Sequence, residues 1–217
     1  METANGLKSF LRVSRLYEQF QDLAGTRNLR RWLADRYCRF EGAEKVVDMG
    51  CGPGGMLDYL PRGINYVGFD LNEKYIKTAR QAYGARGTFL VGSATEFFQN
   101  PDPHLNNADL VLCIGLLHHL DDNEVIRALE LSKSIINPAG RLVCIEPTFL
   151  IHQRRFSKWM MSKDRGQHVR EEHMWKDLVS KVFNTFSTNI ATGLITRVPY
   201  IHIVIECSKG SPSPDGA

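Results

Sequence analysis

The sequence predicts a single α/β domain built on a doubly wound, mostly parallel sheet of seven strands, and three observations carry that prediction. From residue 45 onward, short apolar runs alternate with amphipathic stretches, the pattern of βαβ units whose sheet is covered on both faces. The run VVDMGCGPGGMLDYL at 46–60 ends an apolar strand in a cluster of glycines, which signals a sharp turn out of a strand and a backbone that a ligand can approach. A length of 217 residues buries one such core comfortably and not two.

The elements follow in order. Leu7, Leu11, Leu16 and Phe20 recur at helical spacing, and a second helix around Leu29, Trp32, Leu33 and Tyr37 follows Gly25-Thr26; together they form an N-terminal helical flap over 1–40. The core, 41–147, holds strands at 45–49, 65–69, 88–91, 109–114 and 141–146, with helices at 54–60, 73–83 and 122–136 between them. Asn137-Pro138-Ala139-Gly140 stops the last of these helices before the fifth strand. Residues 148–180 mix basic and aromatic side chains and are longer than an ordinary connection, so they read as a substrate-facing insertion at a strand's carboxyl end. Runs at 182–190 and 199–207, within the terminal segment 181–207, complete the sheet as an antiparallel C-terminal hairpin, and the tail 208–217 reads as disordered.

Composition narrows the function. Twenty-seven Lys and Arg against 24 Asp and Glu leave a formal charge of +3, too little for a dedicated nucleic-acid binder. The basic clusters Arg27/Arg30/Arg31 and Arg154/Arg155/Lys158 read as solvated helix faces, so nucleic acid is not an expected partner. The five cysteines stand apart, without C-x-x-C spacing, as reduced core thiols do. No window approaches the ~18 apolar residues of a membrane span, and the N-terminal residues carry a charge every few positions. A cytoplasmic protein with no membrane partner is expected; oligomeric state leaves no signature.

Gly50-x-Gly52-x-x-Gly55 satisfies the dinucleotide pattern, and Asp70 in YVGFD is the acid about twenty residues on that holds ribose hydroxyls. NAD is compatible with that much. Asp48 leans away from it, because a carboxylate just before the first glycine suits a cofactor with an amino group. So do Pro53 in the turn and the want of a second, substrate-binding domain.

The blocks VVDMGCGPGG, YVGFDLN, FLVGSATEF, ADLVLCIGLLHHLDD and NPAGRLVCIEP resemble, in order and interval, the class I S-adenosylmethionine-dependent methyltransferases. RLYEQFQDLAG, SKDRGQHVR and VPYIHIVIEC are similar to a bacterial branch of small, stand-alone members. The resemblance implies a Rossmann-like fold, S-adenosyl-L-methionine as cofactor and S-adenosyl-L-homocysteine as product. It implies that Asp48, Gly50 and Gly52 line the methionine moiety, with Gly54 in the same turn. Asp70 would bind the ribose hydroxyls, Leu71 would pack on adenine, and Ile114 is a further cofactor candidate; Tyr17 in the flap is a candidate for closing over the cofactor, with a core tyrosine as the alternative. Ser93 stands where the family usually has an aspartate for the adenine amino group; serine keeps one acceptor there, and the Ala94 N–H would meet a ring nitrogen. The alternative is that Ser93 faces solvent.

Methyl transfer needs an aligned acceptor, a dry site and, for a hydroxyl acceptor, a base. His119, just after the fourth strand, is the first candidate because imidazole titrates near neutrality; His118 is the second. Either would equally serve a structural role. His152, Arg165 and His168 in the insertion, and Tyr200 and His202 on one face of the last strand, are candidate substrate contacts; surface ion pairs and a polar strand face explain them as well. The fourth strand ends in Cys113-Ile114-Gly115 without carboxylates, so no metal is expected. No Asn/Asp-Pro-Pro-Tyr/Phe motif follows it, which argues against methylation of DNA adenine or glutamine. A small-molecule acceptor methylated at oxygen or nitrogen is expected. The alternatives are a tRNA or protein methyltransferase that works with a partner, and a non-catalytic S-adenosylmethionine-binding protein.

Overall fold

The computed structural model describes residues 26–40, 44–150, 168–192 and 201–210. Five strands run parallel: β1 (Lys45–Met49), β2 (Asn65–Asp70), β3 (Gly87–Val91), β4 (Ala108–Ile114) and β5 (Ile136–Phe149). A two-residue β6 (Arg170–Glu171) pairs with the end of β5, and β7 (Thr185–Thr192) and β8 (Ile201–Ser208) are antiparallel to one another. The order across the sheet is β3-β2-β1-β4-β5-β8-β7, with β6 off this path. The seven expected strands are present, and β6 is an addition to them.

Strands buried on both faces explain the continuous apolar runs. Val47, Met49, Val111 and Cys113 face a core closed by α3 (Ala94–Gln99), α4 (Asp122–Ile135) and α5 (Glu172–Ser180). Val46, Leu110, Leu112, Val143 and Ile145 face the other core, closed by α1 (Thr26–Tyr37) and α2 (Glu73–Tyr83). Leu29, Leu33 and Tyr37 recur every four residues along α1, and all are buried there. Asp121 and Glu124 form a reciprocal capping box at the start of α4, which satisfies two donors at that end. Among the described residues no helix is long and apolar enough to cross a membrane.

Four expectations change. The helix at 54–60 is a 3-10 turn, Gly55–Tyr59; left-handed Gly54 before it and Pro61 after it leave room for little more than one turn, where 3-10 geometry is at home. The insertion ends in α5, whose Trp175, Leu178 and Val179 are buried. Val182 and Phe183 cap that helix's last turn, their N–H groups donating to Val179 O, so β7 starts at Thr185 and not at 182. Ser208 belongs to β8, and its Oγ donates to Gly210 O, so the tail begins later than 208. The helix expected over 7–20 and residues 211–217 lie outside the described residues.

β4 lies between β1 and β5, so the chain order reverses beside β1. In open α/β sheets ligands bind at the carboxyl ends of the strands at that reversal.

Candidate active site

The glycine run leaves β1 at this point. Gly50, Gly52 and Gly54 have φ of 73°, 54° and 83°, a region that glycine enters without the clash a Cβ brings. Their surroundings differ. A Cβ on Gly50 would sit 3.2 Å from the Leu116 side chain, and one on Gly54 3.1 Å from Tyr83, whereas one on Gly52 would meet nothing within 4 Å. Gly52 therefore offers bare backbone to a ligand, and Gly54 serves packing. Gly50 N and Cys51 N both donate to Phe69 O, at 2.9 and 3.0 Å, which folds the turn back over the end of β2.

Asp48 sits beneath the turn, 3% exposed, and accepts a hydrogen bond from Tyr66 Oη at 2.6 Å. Burial pushes its carboxyl up to about 6, against the opposing pull of the Tyr66 hydroxyl and of the Arg30 charge. Arg30 is half-buried and reaches the turn from α1, with Nη1 3.0 Å from where a Cβ of Gly55 would lie. Arg27 and Arg31 are exposed as expected; Arg30 is not part of a solvated face.

At the end of β2, Asp70 Oδ2 accepts from Gly52 N at 3.0 Å and Oδ1 from Asn72 N at 2.8 Å. Each oxygen keeps a second lone pair for a ligand hydroxyl. Leu71 is 70% exposed beside it, an apolar platform. Ser93 neither faces solvent alone nor stands idle: it is the N-cap of α3, its Oγ accepting from Glu96 N at 3.1 Å. Ala94, the first residue of α3, is buried.

The turn after β4 carries the histidines. Gly115 adopts φ 64°, and a 3-10 turn over Leu117–His119 follows. Glu146, fully buried at the end of β5, gathers this turn: Oε1 accepts from Leu116 N (3.0 Å) and Leu117 N (2.8 Å), while Oε2 lies 2.7 Å from His118 Nδ1 and 3.2 Å from His118 N. A carboxylate beside Nδ1 makes that nitrogen the donor and leaves Nε2 as the acceptor in the neutral ring. His118 is buried and its ring centroid is 4.0 Å from that of His119, which is exposed. Ile114 is half-buried just before them.

The far end of the insertion docks on the same turn. His168 N donates to His118 O at 3.0 Å, and the Arg170 guanidinium donates to Leu117 O, Leu120 O and His168 O. An open groove of about 560 Å³ adjoins it, lined by Asp121, Asp122, Asn123, His168, Val169, Arg170 and Met174. His202 is buried on β8 opposite Pro147, so the polar, solvent-facing strand side does not apply to it. Tyr17, His152, Arg165 and Tyr200 lie outside the described residues.

Glu146 and Arg170 are the residues the sequence reading missed. Glu146 carried a usable signal, a charge closing the apolar run LVCIE, the same signal that marked Asp48.

A glycine turn, a buried acid below it and a second acid at the end of β2 stand together at the carboxyl ends of the parallel strands, where α/β folds bind nucleotide-like ligands. A sequence model of the methyltransferase domain matches residues 17–179, and the chain belongs to that family. It is a class I S-adenosylmethionine-dependent methyltransferase. It is 24% identical over 184 residues to an uncharacterized methyltransferase of Geobacillus kaustophilus, covering 80% of this chain and 81% of that one. It is 32% identical over 108 residues to the ubiquinone biosynthesis O-methyltransferase of Azoarcus sp., covering 49% of this chain and 46% of that one. A methyltransferase structure from Archaeoglobus fulgidus superposes with a TM-score of 0.67 at 19% identity, over 88% of this chain and 99% of that one. The mitomycin 7-O-methyltransferase structure superposes at 0.62 with 22% identity, over 82% of this chain and 53% of that one. The chain thus spans about half the length of the named O-methyltransferases it matches; the structural likenesses speak to fold.

Proposed function

We propose that this methyltransferase acts on a small molecule, transferring a methyl group to oxygen or nitrogen with His119 as the base for a hydroxyl acceptor. The observation that carries the reading is the exposed His119 ring just after β4, packed on His118, whose Nδ1 Glu146 holds. Two named relatives or neighbours, the ubiquinone biosynthesis O-methyltransferase and the mitomycin 7-O-methyltransferase, support a small-molecule acceptor. The groove beside His168 supports room for one.

The residues present fit the cofactor. Open backbone at Gly52, the exposed Leu71 and the buried Asp48 suit a methionine chain, an adenine face and an ammonium group. Asp48 takes the ammonium, Gly50 and Gly52 the methionine chain, Asp70 the ribose hydroxyls, and Leu71 with the Ala94 N–H the adenine. Ser93, already capping α3, has its remaining lone pair for the adenine amino group. When bound, S-adenosylmethionine supplies an electrophilic methyl group and leaves as S-adenosylhomocysteine. The protein's part is to align the acceptor, exclude water and remove a proton at His119.

Asp70→Ala is expected to weaken S-adenosylhomocysteine binding by about 1.5–3 kcal/mol in calorimetry, the loss of hydrogen bonds to a charged group. Unchanged affinity would remove Asp70 from the ribose site. His119→Ala should cut turnover at least tenfold while cofactor affinity holds, and a normal pH profile at full activity would end its candidacy. The acceptor itself is found by incubating the enzyme with labelled cofactor and metabolite extract, then identifying the labelled product by mass spectrometry. Label recovered in tRNA or protein instead would overturn the small-molecule reading, and binding without any turnover would favour a non-catalytic role.

A further inference from the structure

One guanidinium spends all of its donors around the histidine turn. Arg170 is 3% exposed. Its Nε donates to Asp122 Oδ1 at 2.9 Å, and Nη2 donates to the same oxygen at 2.7 Å and to Leu120 O at 2.8 Å. Nη1 donates to His168 O at 2.9 Å and to Leu117 O at 3.3 Å. Five bonds match the five N–H groups an arginine possesses. The Cζ atom lies over the Trp175 ring, 4.9 Å from its centroid, within cation–π range.

Burying such a charge is poor evidence for a role in stability, because desolvation offsets most of what the pairing gains. The identity of the acceptors is more informative. Leu117 O and Leu120 O flank His118 and His119 in the chain, and His168 O belongs to the segment read as substrate-facing. His168 N closes the link by donating to His118 O. From the opposite side Glu146 takes the N–H groups of Leu116, Leu117 and His118. The turn is therefore held by its donors to β5 and by its carbonyls to Arg170 and His168.

We propose that Arg170 is a positioning residue for methyl transfer, setting the orientation of His119 by tying the carbonyls on either side of it to the backbone of His168. This rests on the reading of His119 as the base. Lysine keeps the charge but has three donors and no plane, so it cannot reproduce the arrangement.

Arg170→Lys tests it, with the imidazole nitrogen signals of His119 followed by NMR at one fixed pH and S-adenosylhomocysteine affinity measured in parallel. The expected result is displaced or doubled His119 signals, affinity within threefold of the parent, and turnover lowered at least tenfold. Against a His119→Ala background the same substitution should lower turnover no further, because the two act through one group. His119 signals that superpose on the parent's, or an equal further loss in the double variant, would overturn the proposal. Should Arg170→Lys fail to fold, Asp122→Ala removes the one oxygen that accepts from both Nε and Nη2, on a side chain that is 63% exposed. His119 signals must then shift in that variant, and unmoved signals are decisive against the idea. Full activity in His119→Ala alone would instead defeat the reading of His119 as base.

Discussion

Replacing Glu146 by alanine is expected to destabilise the protein by more than about 4 kcal/mol, a loss few single substitutions reach. The carboxylate is 0% exposed and receives hydrogen bonds from Leu116 N, Leu117 N, His118 N and His118 Nδ1. Alanine would take the acceptor from all four donors, three of them buried and Leu116 N partly so, at about 1–3 kcal/mol for each left unpaired, before relaxation. Relaxation comes from the turn itself, so amide exchange at residues 116–118 should rise far more than at β1 or β2. Glutamine at this position is no remedy, because its amide would aim donors at donors. Chemical denaturation monitored with hydrogen exchange checks this; a midpoint shift worth less than about 1 kcal/mol would show that the hydrogen-bond accounting is wrong.

Asp48→Asn should separate stability from binding in opposite directions. The folded protein holds this carboxyl at about 6, above its ordinary 3.8, through burial. Between those values the folded state keeps a proton that the unfolded chain has released. Stability from this group therefore falls as pH rises through that window, and the full deficit, about 3 kcal/mol, is present above it. Asparagine can still accept from Tyr66 Oη without the charge. The variant should be more stable than the parent at pH 8, with the gain fading toward pH 4. Its affinity for S-adenosylhomocysteine should drop by about 1.5–3 kcal/mol, since the ligand's ammonium loses its counter-charge. In the parent, affinity should decline as pH falls below about 6. Thermal melts and calorimetry across that range check both halves; a less stable variant at pH 8 with unimpaired binding would contradict the assignment.

Much of this was legible in the chain. β1, β4 and β5 announced themselves because Val46-Val47, Leu110–Cys113 and Leu142–Ile145 are buried on both faces, which leaves no polar alternation to confuse with a surface. Asp48 and Asp70 stood out as charges closing such runs. The family resemblance points Ser93 toward adenine, yet Ser-Ala-Thr-Glu is itself a helix-start pattern, and the local claim of Glu96 N on its Oγ is what the structure shows. α5 was missed because a stripe of three apolar residues in EHMWKDLVS is thin beside its charges. Arg170 was missed for a deeper reason. In Val-Arg-Glu-Glu-His it looks like one more solvated charge, and its acceptors at Leu117 and Leu120 come from a turn about fifty residues away, a pairing no local pattern records.

The place of β4 between β1 and β5 also fixes when the site can exist during folding. The glycine turn and Asp70 are complete once the first two strands have met. Leu116 cannot press on Gly50, nor Glu146 gather the histidines, until β4 is zipped in and β5 has closed over it. Parallel pairings of this kind join distant stretches of chain and form slowly. A nascent chain that has emerged only as far as β3 would thus carry the glycine turn and Asp70 without Ser93, Ala94 or the histidine turn. The histidine turn arrives last, as a product of topology.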